Sequence, residues 1–450
     1  MRNKILYIFG LPSILILGLL LAQCDHQMTT PSSPSFQDSV ALYRRTLLSA
    51  EQCKECHPKH YREWQMSMHA YAFVDPVFFA LDSIGRQRSS GLLDQFCIEC
   101  HSPLLPLLGE KMEVGGKAML PPIAHEGITC DACHKMVIDA KPSRGVIALY
   151  ADSVYRGPIP DPVPNDFHQS RYDERYNQSI VCKSCHDFHT PAGFFIERTF
   201  TEWQNSVYPG RNIQCQTCHM KSSPGKVAVN GPERERVHSH IMEGVDIPLV
   251  DFPGRDEMIQ RVSYLLQYAL KMSVFTPESI RRDTVFPVRV ELSNTITGHN
   301  IPTGSIFERQ MWLECLLIDQ ATGDTIFLSG DTDPHGDLRT HHSEYVQQGL
   351  LPLDSQLIVF RGIPLRNGKE IPFFWEADAI YDRTIPPFET RMVHFRIPIA
   401  STVQGPCKLR IRLLFRSFPP YLLRKIGLES LVPKLVTFEM ERFETTLPVE

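Results

Sequence analysis

The pattern of apolar and polar positions divides the 450-residue chain into two regions. The first region is rich in loops and prolines, and the helical spacing of apolar residues in DEMIQRVSYLLQYALKMSVF predicts a helix over 256–275. Shorter helices are predicted around 51–72 and 199–207. After Val274 the pattern changes to short β-branched or aromatic runs, which predict strands. These runs cover 285–294, 311–319, 325–330, 356–362, 390–399 and 408–416.

The predicted strands indicate the fold of the second region. Short strands at this spacing favour an antiparallel β-sandwich. The sequence ATGD at 321–324 predicts a hairpin turn between two of the strands. The predicted fold class is therefore mixed. A loop-rich, mainly helical domain covers 42–275, and an antiparallel, immunoglobulin-like β-sandwich covers 276–450.

The first 24 residues have the pattern of an export signal, in which two basic residues precede an apolar stretch from Ile5 to Ala22. The sequence LAQC at its end resembles a bacterial lipoprotein signal, which would make Cys24 the lipidated residue. The alternative is an uncleaved anchor, because the apolar stretch is nearly long enough to span a bilayer. In both cases residues 25–41 form a polar tether, and the protein is exported to the periplasmic or cell-surface side of a bacterial membrane.

The motif C-x-x-C-H occurs five times in the first region. In this motif two thiols add across the vinyl groups of a haem, and the histidine binds the iron as the proximal ligand. A zinc site or a set of disulfides also uses paired cysteines, but neither requires a histidine after every pair. The motifs therefore predict five covalently bound haem c groups. The motif cysteines are Cys53, Cys56, Cys97, Cys100, Cys130, Cys133, Cys182, Cys185, Cys215 and Cys218, and the motif histidines are His57, His101, His134, His186 and His219.

The remaining composition narrows the class of protein. Ten of the 13 cysteines belong to the motifs, and Cys315 and Cys407 are either buried thiols or one disulfide. The formal net charge of −5 gives no indication of a nucleic-acid partner.

The chain has 18 histidines, which is enough to supply each iron with a second axial ligand. A second histidine gives a low-spin centre that transfers electrons, whereas an open position permits substrate binding. His238 and His240 point the same way along an extended segment, and one of the two is expected to be a ligand. Ligation is less favoured for His60, His189 and His299. The predicted distal ligands are His69, His125, His168, His238 and His240.

One short sequence occurs twice. The pattern E-W-Q-x-S lies at 63–67 and again at 202–206. Two residues beyond the serine, the first copy has His69 and the second has Tyr208. This difference is a hint that one iron lacks a second protein ligand.

These motifs carry a resemblance to a known family. CKECHPKHYREWQMSMHA resembles the opening of multihaem cytochromes c of the cytochrome c-554/c-prime family, with its cytochrome c-552/4-type domain, in which C-x-x-C-H is followed by W-x-x-S-x-H. GHNIPTGSIFERQMWLECLLIDQATGDTIFLSG resembles the β module that follows the haems in some relatives. The resemblance covers roughly residues 50 to 330, and it matches His69 to the distal histidine of the first block. It implies closely stacked haems and electron transfer, although the type member has four motifs and this chain has five.

The leading hypothesis for function is a membrane-tethered electron carrier that connects respiratory redox partners through five haems. One alternative is an oxidoreductase that acts on a small nitrogen or sulfur compound at an open-coordinate haem. The other is an electron-transfer subunit of a larger respiratory complex, with the β domain as its docking face.

Overall fold

The structure, a computed structural model, describes residues 36–113, 120–139, 146–189, 193 and 195–450. The predicted export signal, the lipidated Cys24 and the tether up to residue 35 lie outside the described residues. In the part of the chain that is described, no helix is long and apolar enough to cross a membrane.

Short helices joined by long loops form the first region. They are α1 (Phe36–Thr46), α2 (Pro58–Met66), α3 (Met68–Tyr71), α4 (Pro76–Arg88), α5 (Ile98–His101), α6 (Cys130–His134), α7 (Lys183–His186), α8 (Thr199–Gln204), α9 (Cys215–His219) and α10 (Arg255–Gln267). Three two-stranded sheets join them: β1 (Val154–Gly157) with β2 (Gln169–Tyr172), β3 (Phe188–His189) with β4 (Phe195–Glu197), and β5 (Ser222–Lys226) with β6 (Glu233–His238). The first region also has short 3₁₀ helices at Ala50–Cys53, Pro122–Glu126, Glu174–Asn177, Ser179–Cys182 and Pro209–Arg211. Two more, at Phe374–Glu376 and Glu429–Lys434, lie in the second region.

Local sequence explains where these helices begin. Pro58 occupies the first turn of α2, where a missing N–H leaves no helical hydrogen bond unmade. Ser67 caps α3 by accepting a hydrogen bond from the backbone N–H of Ala70. Asp75 caps α4 in the same way, through the N–H of Val77 at 3.0 Å. The caps fix the ends of helices that are too short to be stable alone.

The helix predicted over 256–275 is correct only in its first part. Met258, Val262 and Leu266 are buried along one face of α10, at helical spacing. The prediction is wrong after Gln267, because Lys271–Phe275 forms the strand β7. Burial alternates along this segment, and its backbone pairs with the next strand of the chain.

Antiparallel sheets form the second region. One sheet has the order β15–β8–β7, with β8 at Thr284–Ser293 and β15 at Thr390–Ile399. The second sheet has the order β10–β9–β16–β17, with β9 at Gln310–Asp319, β10 at Thr325–Ser329, β16 at Cys407–Arg416 and β17 at Phe438–Leu447. The short β11 (Ile358–Phe360) also pairs with β9, while β12 (Gly362–Arg366), β13 (Lys369–Glu370) and β14 (Ala379–Asp382) form a separate sheet. Two helices, α11 (Glu344–Gln347) and α12 (Pro420–Lys425), complete the region.

The two larger sheets share one apolar core. Val288 and Val290 of β8 belong to the same buried cluster as Leu313 of β9 and Ile411 of β16. Along most of β8 and the first half of β16 the buried side chains alternate with more exposed ones, as a sheet with one buried face requires. The mixed fold with antiparallel sheets is thus confirmed, while the immunoglobulin-like sandwich and the domain boundaries stay predictions.

The two cysteines of this core are free thiols. Cys315 and Cys407 are buried on the neighbouring strands β9 and β16. Cys315 lies opposite Ile411, whereas Cys407 lies opposite Asp319. The register therefore keeps the two sulfurs apart along the strands, and they remain separate buried thiols.

In the first region, the buried face of α10 joins the large core of the β sheets, and the other buried apolar residues that the structure describes form smaller clusters. Leu104 and Leu149 belong to one cluster, Phe73 and Ile98 to another, and Trp64 to a third. The space between these clusters is a large cavity, which contains the candidate site.

Candidate haem-binding site

One continuous cavity of about 1400 Å³ passes between the small clusters of the first region. All ten motif cysteines and all five motif histidines line it. The five motifs are dispersed along the sequence, yet the fold turns every one of them toward the same space.

Helix geometry explains how each motif presents its groups. In α6, Cys130, Cys133 and His134 stand at positions i, i+3 and i+4, which share one face of a helix. The motif in α9 repeats this arrangement, from Cys215 to His219. A single turn therefore aims two sulfurs and one imidazole at the same side. This arrangement fits a porphyrin that is bound by two thioethers and one axial nitrogen.

Backbone carbonyls orient four of the five motif histidines. In each case the Nδ1–H donates to a carbonyl, so the lone pair of Nε2 is left for a metal. The pairs are His57 with Val227 (2.6 Å), His101 with Ala72 (2.8 Å), His134 with Arg156 (2.7 Å) and His219 with Glu243 (2.5 Å). For His186, Nδ1 lies 4.0 Å from the carboxylate of Glu197.

Four motif histidines also face a second imidazole across the cavity. Two imidazoles bound to one metal have ring centres roughly 6 Å apart, given a metal–nitrogen bond of about 2 Å and about 1 Å more to each ring centre. The observed separations are 6.3 Å for His57 and His168, 6.2 Å for His134 and His240, 6.3 Å for His186 and His69, and 6.1 Å for His219 and His299. The residues therefore fit an iron between the two rings of each pair.

Burial favours the neutral, metal-binding form of four imidazoles at the site. It lowers the pKa of His69, His101 and His299 to about 4. Burial also lowers the pKa of His240 well below the ordinary value. The rings are therefore neutral at pH 7, as an iron-binding imidazole must be.

The structure brings together three of the predicted distal histidines with motif histidines, namely His69, His168 and His240. His125 lies on the side of the second motif, because its ring is 6.1 Å from Phe73, and Phe73 is in turn 6.0 Å from Phe78. Phe78 stacks on His101 with ring centres 3.9 Å apart.

The other histidines of the first region have different neighbours. The Nδ1–H of His238 donates to the carbonyl of Met220 at 2.7 Å. The ring of His60 meets that of His240 edge-on at 4.5 Å, and the ring of His189 packs against Phe195. These contacts give the positions of the rings, and the assignment of iron ligands stays a prediction.

Sequence reasoning gave little weight to His299, which is far along the chain from every motif. The structure nevertheless faces it toward His219. One signal could have identified it. The sequence GHNIPTG places a histidine in a short loop between two predicted strands, which became β8 and β9.

Cysteines of different motifs lie close enough to shift one another's pKa. Cys53 and Cys130 are such a pair, which places the first and third motifs side by side. The pairs Cys100 with Cys185 and Cys182 with Cys215 place the fourth motif beside the second and the fifth. Cys133 lies within electrostatic range of Cys185, so the third and fourth motifs are also neighbours.

Paired thiols with an adjacent, backbone-oriented histidine define a c-type cytochrome site. The family model described as cytochrome c554 and c-prime matches residues 52–135, which include the first three motifs. The match supports a cytochrome c-type domain, with covalently bound haem and a role in electron transfer. No curated protein matches the chain.

Proposed function

We propose that the protein is an exported, membrane-tethered cytochrome that carries electrons through five haem c groups between redox partner proteins. The observation that carries this proposal is the single cavity lined by all five motifs, with imidazole pairs spaced for iron. Haem iron with two axial imidazoles gains and loses one electron while both ligands stay bound.

The side chains and the backbone supply the conditions for this role. Carbonyl acceptors hold the Nδ1–H groups of His57, His101 and His134, which fixes each ring and makes its Nε2 a stronger donor. The ring of His168 faces that of His57 at an interplanar angle of 24°, and the ring of His240 faces that of His134 at 23°. Rings that are held on both sides need little rearrangement when the charge of the metal changes.

The contacts between attachment sites support transfer from one site to the next. The thiols of Cys53 and Cys130 lie close enough to shift each other's pKa, as do those of Cys100 and Cys185. Porphyrins bound at adjacent sulfurs would have their edges close together. Such a chain of sites needs no substrate pocket, which favours a carrier over a catalyst.

The location of the protein rests on the sequence. Haem is attached to C-x-x-C-H motifs outside the cytoplasm, in agreement with the predicted export signal. Cys24 would hold the lipid anchor, and the polar segment after it would let the haem region reach its partners. We propose soluble or membrane-bound redox proteins, other cytochromes among them, as those partners.

Haem counting tests the central claim. The intact mass of the exported protein should equal the mature peptide plus five haems, and replacement of both cysteines of one motif by alanine should remove one haem. Cys315→Ala is the matched control, because this thiol is buried in the β core and should leave the count unchanged. A wild-type protein with fewer than five haems would contradict the proposal.

Spin state and membrane association test the remaining parts. Electron paramagnetic resonance of the oxidised protein should be dominated by low-spin iron, and a dominant high-spin signal would argue for a catalyst. A Cys24→Ala variant should move from the membrane fraction to the soluble fraction. If it stays in the membrane, the lipid anchor is ruled out in favour of an uncleaved apolar segment.

A further inference from the structure

We infer that His299 is the second axial ligand of the iron bound by the fifth motif, so that the β region completes a redox centre. This inference rests on the proposed function, because it requires haem at that motif. His299 belongs to the loop between β8 and β9, whereas the other three paired histidines that face a motif belong to the first region. The β region would then be part of the electron path as well as a fold that covers it.

The geometry of this pair matches that of the pairs inside the first region. The rings of His219 and His299 have centres 6.1 Å apart and an interplanar angle of 25°. The corresponding values for His134 and His240 are 6.2 Å and 23°. Nδ1–H of His299 donates to the carbonyl of Asn300 at 2.9 Å, which leaves Nε2 as the metal-binding nitrogen.

Buried hydrogen bonds hold the backbone of His299. Its carbonyl accepts from the Asn294 side-chain amide at 3.0 Å and from the Thr297 hydroxyl at 2.8 Å. Asn294 is fully buried at the end of β8, and its amide also donates to the carbonyl of Ile385 at 3.1 Å. The ring therefore projects from a backbone that is fixed by the β sheets.

The same loop is bonded to the first region. The carboxylate of Glu202 accepts from the backbone N–H of Asn300 at 3.0 Å and from the hydroxyl of Thr303 at 2.6 Å. At Gly298 the two regions come so close that a Cβ would overlap the ring of Tyr208. The close fit keeps the next residue, His299, directed at the cavity.

The repeated E-W-Q-x-S sequence supports the assignment independently. Glu63 of the first copy accepts from the backbone N–H of His240 at 2.9 Å, and His240 faces His134. Glu202 of the second copy accepts from the N–H of Asn300, next to His299. In both copies the glutamate holds the segment that carries the second imidazole of a neighbouring site.

The repeat also explains Tyr208, which replaces a histidine in the second copy. The Tyr208 hydroxyl donates to the carbonyl of Ile296, in the loop that carries His299. The tyrosine therefore docks the β region, and His299 in that region corresponds to the His240 that Glu63 holds in the first copy. Tyr208 itself has a structural role at the position where the first copy has His69.

The test compares His299→Ala with the wild-type protein, both full length and loaded with haem. We expect five haems in both proteins, with one of the five irons of the variant converted to high spin. Added imidazole should return that iron to low spin. The matched control is His394→Ala, an exposed histidine on β15 of the same region, which should leave all spin states unchanged.

The outcomes separate this inference from the function on which it rests. A wild-type protein with fewer than five haems contradicts the proposed function, whereas five haems with no new high-spin iron in His299→Ala overturns only the ligand assignment. If the alanine variant does not fold, His299→Met replaces it. Methionine opposite histidine raises the reduction potential of haem. One raised potential out of five supports the assignment, and five unchanged potentials overturn it.

Discussion

Removal of the Glu202 carboxylate should release the loop that carries His299. The Glu202 side chain is 6% exposed, and its carboxylate accepts three hydrogen bonds. Two of them come from the loop, from the N–H of Asn300 and the hydroxyl of Thr303, and the third comes from Nε of Arg198 at 3.0 Å. In Glu202→Ala, the N–H of Asn300 and the hydroxyl of Thr303 both lose the carboxylate to which they donate.

The size of the effect follows from these two bonds. A hydrogen bond to a charged acceptor contributes about 1.5–3 kcal/mol, and the lower value applies where water can replace the acceptor. Two bonds at the lower value give roughly 3 kcal/mol, which is about a hundredfold change in the ratio of docked to undocked loop. Burial raises the pKa of Glu202, so the neutral isostere in Glu202→Gln should be tolerated better. It keeps one acceptor oxygen for the loop.

The assay is hydrogen exchange of the loop at 296–304, measured by mass spectrometry on the haem-loaded protein. Protection should fall by about a hundredfold in Glu202→Ala. The iron at the fifth motif should also gain a high-spin component or change its reduction potential. A general loss of stability would affect the other irons too, so a change at the fifth motif alone indicates a local effect. Glu202→Gln should restore most of both. Unchanged protection and spectra in Glu202→Ala would refute the assignment of Glu202 as a positioning residue.

Three further predictions concern other parts of the molecule. In Glu63→Ala, electron paramagnetic resonance should show a changed signal from the iron at the third motif and an unchanged signal from the iron at the fifth. The reverse pattern would contradict the inference that Glu63 positions His240. Trp312→Ala removes a ring that is 1% exposed, which should cost about 3–5 kcal/mol and lower the Tm of the β region by roughly 10 °C in calorimetry, with haem content retained. Burial alone would raise the pKa of Glu370, but the hydrogen bond from His342 and the charge of Arg361 lower it to about 2. The ionised form of Glu370 therefore stabilises the fold at pH values above the usual pKa of 4.5, and this contribution is lost as the pH falls toward 2. Glu370→Gln should accordingly have a lower Tm than the wild type at pH 7 and the same Tm in acid. A Tm difference that does not change with pH would contradict this cause.

Strands with one buried face could be predicted from the sequence. β15 covers 390–399, as its run of β-branched and aromatic residues predicts. The hairpin turn between β9 and β10 also lies where ATGD predicted it, and Gly323 there adopts a φ of +80°, which glycine tolerates without strain. These features depend on contacts close in sequence.

Elements that depend on distant partners could not be predicted in this way. In β17 the charged residues of FEMERFETTL interrupt the apolar run by which the other strands are predicted, and pairing with β16 fixes this segment as a strand. β7 was assigned to a helix because apolar positions in α10 continue into it. Tertiary pairing decided both cases.

The candidate site also has a part that the local sequence determines and a part that the fold determines. Each C-x-x-C-H motif determines its own geometry, because its three groups lie on one helical turn. The second imidazole is determined by the fold, since His168, His240 and His299 approach their partners from distant segments. The number and chemistry of histidines predicted that such partners exist, and only the three-dimensional structure pairs them.

The paired histidines come from distant parts of the chain, and this matters for folding. An iron between His57 and His168, or between His219 and His299, would cross-link segments that are far apart in the chain. Met66 and the buried face of α10 join the large core of the β region. The rest of the described first region packs in smaller apolar clusters around a cavity of about 1400 Å³, so side-chain packing leaves much of its interior unfilled. Under the proposed function, metal ligation would add long-range contacts to those that the side chains make, and cofactor insertion would then be coupled to the folding of the first region.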